Sequence, residues 1–280
     1  MIRVGPILTV AILAVAAVRG AEDPPLLKAV AGQQTAEVVK LLESGADPNA
    51  AGATGETPLL AASRLGAPDL VRLLIGRGAK ATTRLPNGET VLHLAEQSGS
   101  VDTVKLLLNE GLNANAVEDS RGQSPLHYAA AQGRTEIVQA LVEGGAVADL
   151  ASKAGVTALW LAAEAGHFDT VRALLSDDAD ADPSGPGQVR PIHMVARAGD
   201  VETLKALIDA EAEVDSKTSD GIAPLHLAVS ENREGAVKLL LTRGANRDIR
   251  NAKGETPLDI AKRLQFAPIV VLLSEPDAKK

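Results

Sequence analysis

Five histidines, an acidic run, a basic cluster and one tryptophan are the residues of this 280-residue chain whose types could do chemistry. His93, His127, His193 and His226 each stand fourth in a short tetrad, and His167 follows Gly166. Imidazole can ligate a metal, move a proton or pin a backbone. A row that recurs once per unit is spaced at about 10 Å, the separation of packed helices. A metal needs several donors at about 2 Å from one point, so the row reads as structural. No histidine has a Ser and Asp partner at a nucleophile elbow, and Gly-x-Ser-x-Gly is absent. The run Asp178-Ala179-Asp180-Ala181-Asp182 invites a calcium reading. An EF-hand loop wants Gly at its sixth place and Glu at its twelfth; here these are Pro183 and Val189. A solvated acidic loop is the preferred reading, and a metal-dependent or enzymatic role for residues 178–182 is the alternative. Arg243, Arg247, Arg250 and Lys253, interrupted by Asp248, read as a solvated loop or as a site for an acidic partner. No Gly-x-x-x-x-Gly-Lys-Ser/Thr loop is present to cradle phosphates. The absence of Cys excludes disulfides, thiolate metal sites and thiol catalysis. No cofactor is expected.

Composition limits the scaffold that could hold these residues. There are 28 Lys+Arg against 36 Asp+Glu, net −8, which argues against nucleic-acid binding. Hydrophobic residues make up 45% and aromatics only 1%, so the core must be Ala, Leu and Val, which suits closely packed helices. Residues 1–20 stand apart. Arg3 precedes an apolar stretch from Ile7 to Val18, and small residues follow at Gly20 and Ala21. That is the layout of a cleaved signal peptide, and the stretch is short of the ~20 residues that span a bilayer. Its loss leaves 26 basic against 36 acidic residues, net −10. The expectation is export to the periplasm or the outside, with no membrane span after cleavage; retention as a tether for a structural scaffold is the alternative.

The rest of the chain repeats. Gly55, Gly88, Gly122, Gly155, Gln188, Gly221 and Gly254 precede seven tetrads at steps of 33, 34, 33, 33, 33 and 33. The tetrads include Thr57-Pro58-Leu59-Leu60, Ser124-Pro125-Leu126-His127, Thr157-Ala158-Leu159-Trp160 and Ala223-Pro224-Leu225-His226, and Pro25-Leu26-Leu27-Lys28 is a degenerate earlier copy. Thr or Ser before Pro is a helix start. Leu and paired Ala give a buried stripe. A second Gly, as at Gly66, Gly99, Gly133, Gly166 and Gly199, ends that helix. Asp or Glu then opens a second helix, as at Asp69, Asp102, Glu136, Asp169 and Glu202. Departures mark special regions: one extra residue near Val117, Glu118 and Asp119, a flexible or kinked finger at 183–187, and Asn232 and Gln265 in place of the second Gly.

This pattern resembles the ankyrin repeat, a β-turn plus two helices carrying T-P-L-H-x-A. The resemblance implies an all-α solenoid of about eight helix-turn-helix units with β-turn finger loops over residues 21–275. The units fall near 22–54, 55–87, 88–121, 122–154, 155–187, 188–220, 221–253 and 254–275, with 276–280 a short polar tail. It implies that the tetrad His is a pin between helix and adjacent loop. It also implies a non-enzymatic module, expected as a monomer, that binds a protein partner on its concave face. The surface carried over by the resemblance consists of residues flanking each leading Gly and preceding each second Gly. These are Thr54, Glu56, Arg64 and Leu65; Asn87, Glu89 and Gln97; Arg121, Gln123 and Gln132; Lys153, Val156, Trp160 and Glu164; Val189 and Arg197; and Asp220, Ile222 and Glu231. Trp160 replaces the tetrad His and reads either as an exposed anchor or as a filler of the space left by Ala158, the latter preferred.

Overall fold

The computed structural model describes residues 22–275. Within them the chain forms helices in consecutive pairs: α1 (Pro25–Ala31) and α2 (Thr35–Glu43), α3 (Pro58–Arg64) and α4 (Pro68–Gly76), α5 (Val91–Ser98) and α6 (Val101–Asn109), α7 (Pro125–Ala131) and α8 (Thr135–Glu143). There follow α9 (Ala158–Ala165) and α10 (Phe168–Ser176), α11 (Pro191–Ala198) and α12 (Val201–Asp209), α13 (Pro224–Ser230) and α14 (Glu234–Thr242), α15 (Pro257–Arg263) and α16 (Ala267–Ser274). First helices pack on first helices and second on second, so each pair touches only its neighbours along one stack. That is the all-helical solenoid the repeat implies.

Local chemistry explains the helix ends. The hydroxyls of Thr57, Thr90 and Thr157 accept from the backbone N–H groups of Leu60, His93 and Trp160 at the starts of α3, α5 and α9. Asp69, Asp102, Glu136, Asp169 and Glu202 lie in the first turns of second helices, against the positive end of the dipole. The buried stripes join into one Ala-, Leu- and Val-rich core running the length of the stack.

Each pair is joined to the next by a loop whose finger closes with one backbone bond, from Gly52 N to Glu56 O, Leu85 to Glu89, Ser152 to Val156, Gly185 to Val189, Thr218 to Ile222 and Asn251 to Glu255. In the finger with the extra residue, Glu118 N instead reaches Gln123 O, one position further. The finger at 183–187 keeps the same closing bond and kinks at Gly187, with φ +69° beside a 3₁₀ turn at Pro186–Gln188.

Candidate functional site

The site is built outward from the tetrads. His93, His127, His193 and His226 are at most 2% exposed. Each Nδ1 accepts from the backbone N–H three residues earlier, that of Thr90, Ser124, Arg190 or Ala223. Each Nε2–H therefore points away and donates to a loop carbonyl: for His93, His127 and His226 one of the next unit, Gln123 at 3.1 Å, Val156 at 3.2 Å and Glu255 at 3.1 Å, and for His193 that of Ser216, at 3.1 Å in the loop that ends its own unit. Both ring nitrogens are thus committed, in the neutral tautomer. Burial lowers the pKa of all four rings and outweighs the backbone acceptors, which pull the other way.

Trp160 occupies the same place and makes the same bond, Nε1–H to Val189 O at 2.8 Å. It is only 7% exposed. The exposed-anchor reading is therefore corrected: the indole is an inter-unit pin with a larger apolar body. Val156, 5% exposed with its carbonyl engaged by His127, is likewise withdrawn from the surface. Gln123 and Val189 are half-buried, and their carbonyls serve the pins of His93 and Trp160.

The remaining residues of the expected surface lie along the fingers and the ends of the first helices. Position and spacing bring some together. Glu56 pairs with Arg64 at 2.9 Å. Glu89 accepts from Gln97 at 2.6 Å and from Asn87 at 2.8 Å. Glu255 pairs with Arg263 at 3.2 Å in the same register. Between these polar ends the register holds half-buried Val189 and Ile222, with half-buried Tyr128, Leu161 and Leu227 on the helices beside them. Gln132, Glu164, Arg197 and Glu231 are exposed along the row, as are Thr54, Leu65, Arg121, Lys153 and Asp220. A groove floored by Ala163, Phe168 and Met194 is rimmed by Glu164, Arg197, Glu231 and Arg233. Partial burial raises the Glu164 carboxyl above the ordinary carboxylate range.

A family model described as ankyrin repeats in three copies matches residues 26–117, 110–184 and 192–280. The chain belongs to the ankyrin-repeat family. An ankyrin-repeat solenoid is a protein–protein interaction module, and in this family it is typically a non-enzymatic scaffold. A comparison with curated proteins found no match.

Within the ankyrin stack the acidic run has divided duties. Asp178 ends its loop turn at φ +58°. Asp180 accepts from the Asp182 backbone at 2.9 Å, and Asp182 pairs with Arg190, which also reaches Glu213 at 3.0 Å. Among the described residues, no three His, Cys, Asp or Glu side chains converge so as to hold a metal ion. In the basic cluster, Arg243 pairs with Asp209 at 2.6 Å and Arg250 donates to Gly254 O at 2.7 Å. None of the described helices is long and apolar enough to cross a membrane.

Three features escaped the sequence reading. Glu118, 4% exposed, accepts from the backbone N–H groups of Ser120, Arg121 and Gln123 at 2.6, 2.7 and 3.0 Å. Burial raises its pKa, but those three donors together outweigh it and hold the carboxyl below the usual range. The lengthened finger is thus folded around its own carboxylate. Glu96 is fully buried and meets Arg134 of the next unit at 2.9 Å. Burial pushes its carboxyl up to about 7, against the pull of Arg134. In the other interior units its column holds Ser63, Ala130, Ala163, Ala196 and Val229, so a charge among small residues was the available signal. Tyr128 stands in an apolar column with its ring edge-on to His93 at 5.9 Å, and burial pushes its phenol up to about 12.

Proposed function

We propose that this ankyrin solenoid is an exported, non-enzymatic interaction module that binds a protein partner on the concave face of its central units. The observation that carries this reading is the row from Tyr128 to Leu227. There the column that forms internal pairs at Glu56–Arg64, Glu89–Gln97 and Glu255–Arg263 carries no such pair, and partly buried apolar groups stand beside exposed Gln132, Glu164, Arg197 and Glu231. Apolar centres with a polar rim suit protein recognition. A further point supports a binding role. The tetrad imidazoles are neutral and committed at both nitrogens, and they serve the contacts of the repeat itself. Export is supported by Arg3 and the apolar stretch before Gly20, which lie outside the described residues.

The test is affinity capture from the exported fraction with the wild-type chain, with the double variant Glu164→Arg/Arg197→Glu, and with Lys105→Glu on a second helix as control. The expected result is a partner retained by wild type and control and lost with the double variant, all three having equal melting temperatures. A partner that stays bound to the double variant would remove the assignment to this face. Mass spectrometry of the secreted chain should show an N-terminus at Ala21 or Glu22; an intact chain that begins at Met1 would refute cleavage.

A further inference from the structure

Among the described residues, the last unit, α15 with α16, has a polar outer face on one helix only. At four interior boundaries the fourth residue of the tetrad bonds a carbonyl of the next unit, as His226 does toward Glu255. The residue three further on reaches across once, at Glu96 toward Arg134, and is otherwise a buried Ser, Ala or Val. In α15 these two places hold Asp259 and Lys262, both exposed, so the inner half of the end face is polar where other units bury His and Ala. Terminal units of a solenoid need such a polar outer face.

The outer half lacks it. On the second helices one column reads Arg72, Lys105, Gln139, Arg172, Lys205 and Lys238. Arg172 shows where this column leans, toward the following unit, donating to Thr203 at 2.6 Å. In α16 the place belongs to Val271, 57% exposed and the most exposed of the large apolar side chains among the described residues. Its neighbour Val270 sits in a column whose other members, from Val71 to Val237, are completely buried, and is itself part-exposed. An apolar strip therefore lies beside an acidic and a basic residue on one surface.

We propose that this C-terminal end face takes a second copy of the chain across a two-fold axis. An isologous contact presents one patch to itself. It sets Val270 and Val271 against their own counterparts and brings Asp259 of one copy opposite Lys262 of the other, twice. Both signs are present on the face, so the patch is complementary to itself. A partner of a single charge would find one of the two residues repulsive. The dimer modifies the expectation of a monomer and leaves the fingers and first-helix ends free.

Sedimentation velocity of the mature chain over roughly a hundredfold concentration range tests this. The expected result is a monomer–dimer equilibrium that stops at the dimer. Val271→Lys, which restores the residue type of the other units, should weaken it about tenfold or more without lowering the monomer's melting temperature. Lys262→Asp should weaken it as well, by facing Asp with Asp. Adding Asp259→Lys to that variant should recover association; the cap that one Asp259 oxygen makes at the start of α15, accepting from Thr256 N and Oγ1 at 2.9 and 2.8 Å, is lost as well, and that loss is read separately from the melting temperature. Val147→Lys, at a loop valine that is 52% exposed, should leave the equilibrium unchanged. A chain that is monomeric throughout, a dimer indifferent to Val271→Lys, or growth into open oligomers would each overturn the proposal.

Discussion

Gly185 and Trp160 form a matched pair across a unit boundary. A Cβ on Gly185 would lie 2.1 Å from the indole nitrogen, while the glycine's own φ of −101° suits any residue. Space, not backbone conformation, selects glycine here. Gly185→Ser is therefore expected to cost roughly 1–3 kcal/mol or more through overpacking. Trp160→His/Gly185→Ser reproduces the pair His127/Ser152 found one unit earlier and should recover most of that loss in chemical denaturation. If both variants are equally unstable, steric exclusion by the indole is not the reason for the glycine. The buried Glu96 carboxyl has the opposite character. Its folded pKa, about 7, lies above the ordinary 4.5, so its contribution is most favourable below about pH 4.5 and is lost as pH rises through 7. Glu96→Gln should raise the melting temperature at pH 8 and change it little near pH 4.5. A pH-independent difference would contradict a charged carboxylate in that site. The tetrad imidazoles work in the other direction: their folded pKa values are lowered, so the unfolded chain takes up protons first and stability falls as pH drops below about 6.5.

Loops and helix ends obey a second rule, a left-handed residue at fixed places in each unit. Where the expected glycine is missing the backbone still turns the same way: Gln188 at φ +59°, Glu211 at +66°, Asn232 at +55° and Gln265 at +61°. The unit is thus imposed on unfavourable side chains by the packing of its helices. Glu211 is exposed, and its counterparts Gly45, Gly78, Gly111, Gly145 and Gly244 all have positive φ. Glu211→Gly should stabilise the protein by about 0.5–1 kcal/mol, the Cβ strain relieved less the extra chain entropy of glycine. A lower melting temperature would mean that the Glu211 side chain makes a contribution of its own. Fingers add a further link. Asp119, Lys153, Ser219 and Ala252 donate backbone N–H groups to Asn87, Arg121, Gly187 and Asp220 of the preceding finger at 2.8–3.1 Å. The corresponding places in the two other fingers are Pro86 and Pro186, which have no N–H to give. The finger ladder is therefore interrupted at two boundaries, the second being that of Trp160 and Gly185.

For the whole molecule, contacts limited to adjacent units make stability a sum of unit and boundary contributions. Leu126, 1% exposed in a central unit, has neighbours on both sides. Leu126→Ala should cost about 2–5 kcal/mol, and a loss under about 0.5 kcal/mol would contradict its burial in the stripe. Among the described residues, the first and last units have one neighbour each. Amide exchange is expected to be fastest in α1, α2, α15 and α16 and slowest in α7 to α10. Uniform protection along the chain would show that the stack opens as one unit instead. The fold at this scale was legible because its signal is repeated: Thr-Pro starts, paired Ala and spaced glycines agree in phase over copy after copy.

What the sequence determined by itself is therefore whatever a single unit encodes. Helix starts depend on the Thr90 hydroxyl meeting the His93 N–H, and stripes depend on spacing within one helix, all within a few residues. The repeat also fixed which column each residue occupies. Tertiary structure alone decided what that column meets. Trp160 is buried because Val189 offers a carbonyl and Gly185 offers room, 29 and 25 positions later. Glu96 is paired because Arg134 stands 38 positions on. Residue types at those distances vary from boundary to boundary while the column does not. The same place can thus be a pin in one unit and, in the last of the described units, an exposed Asp259.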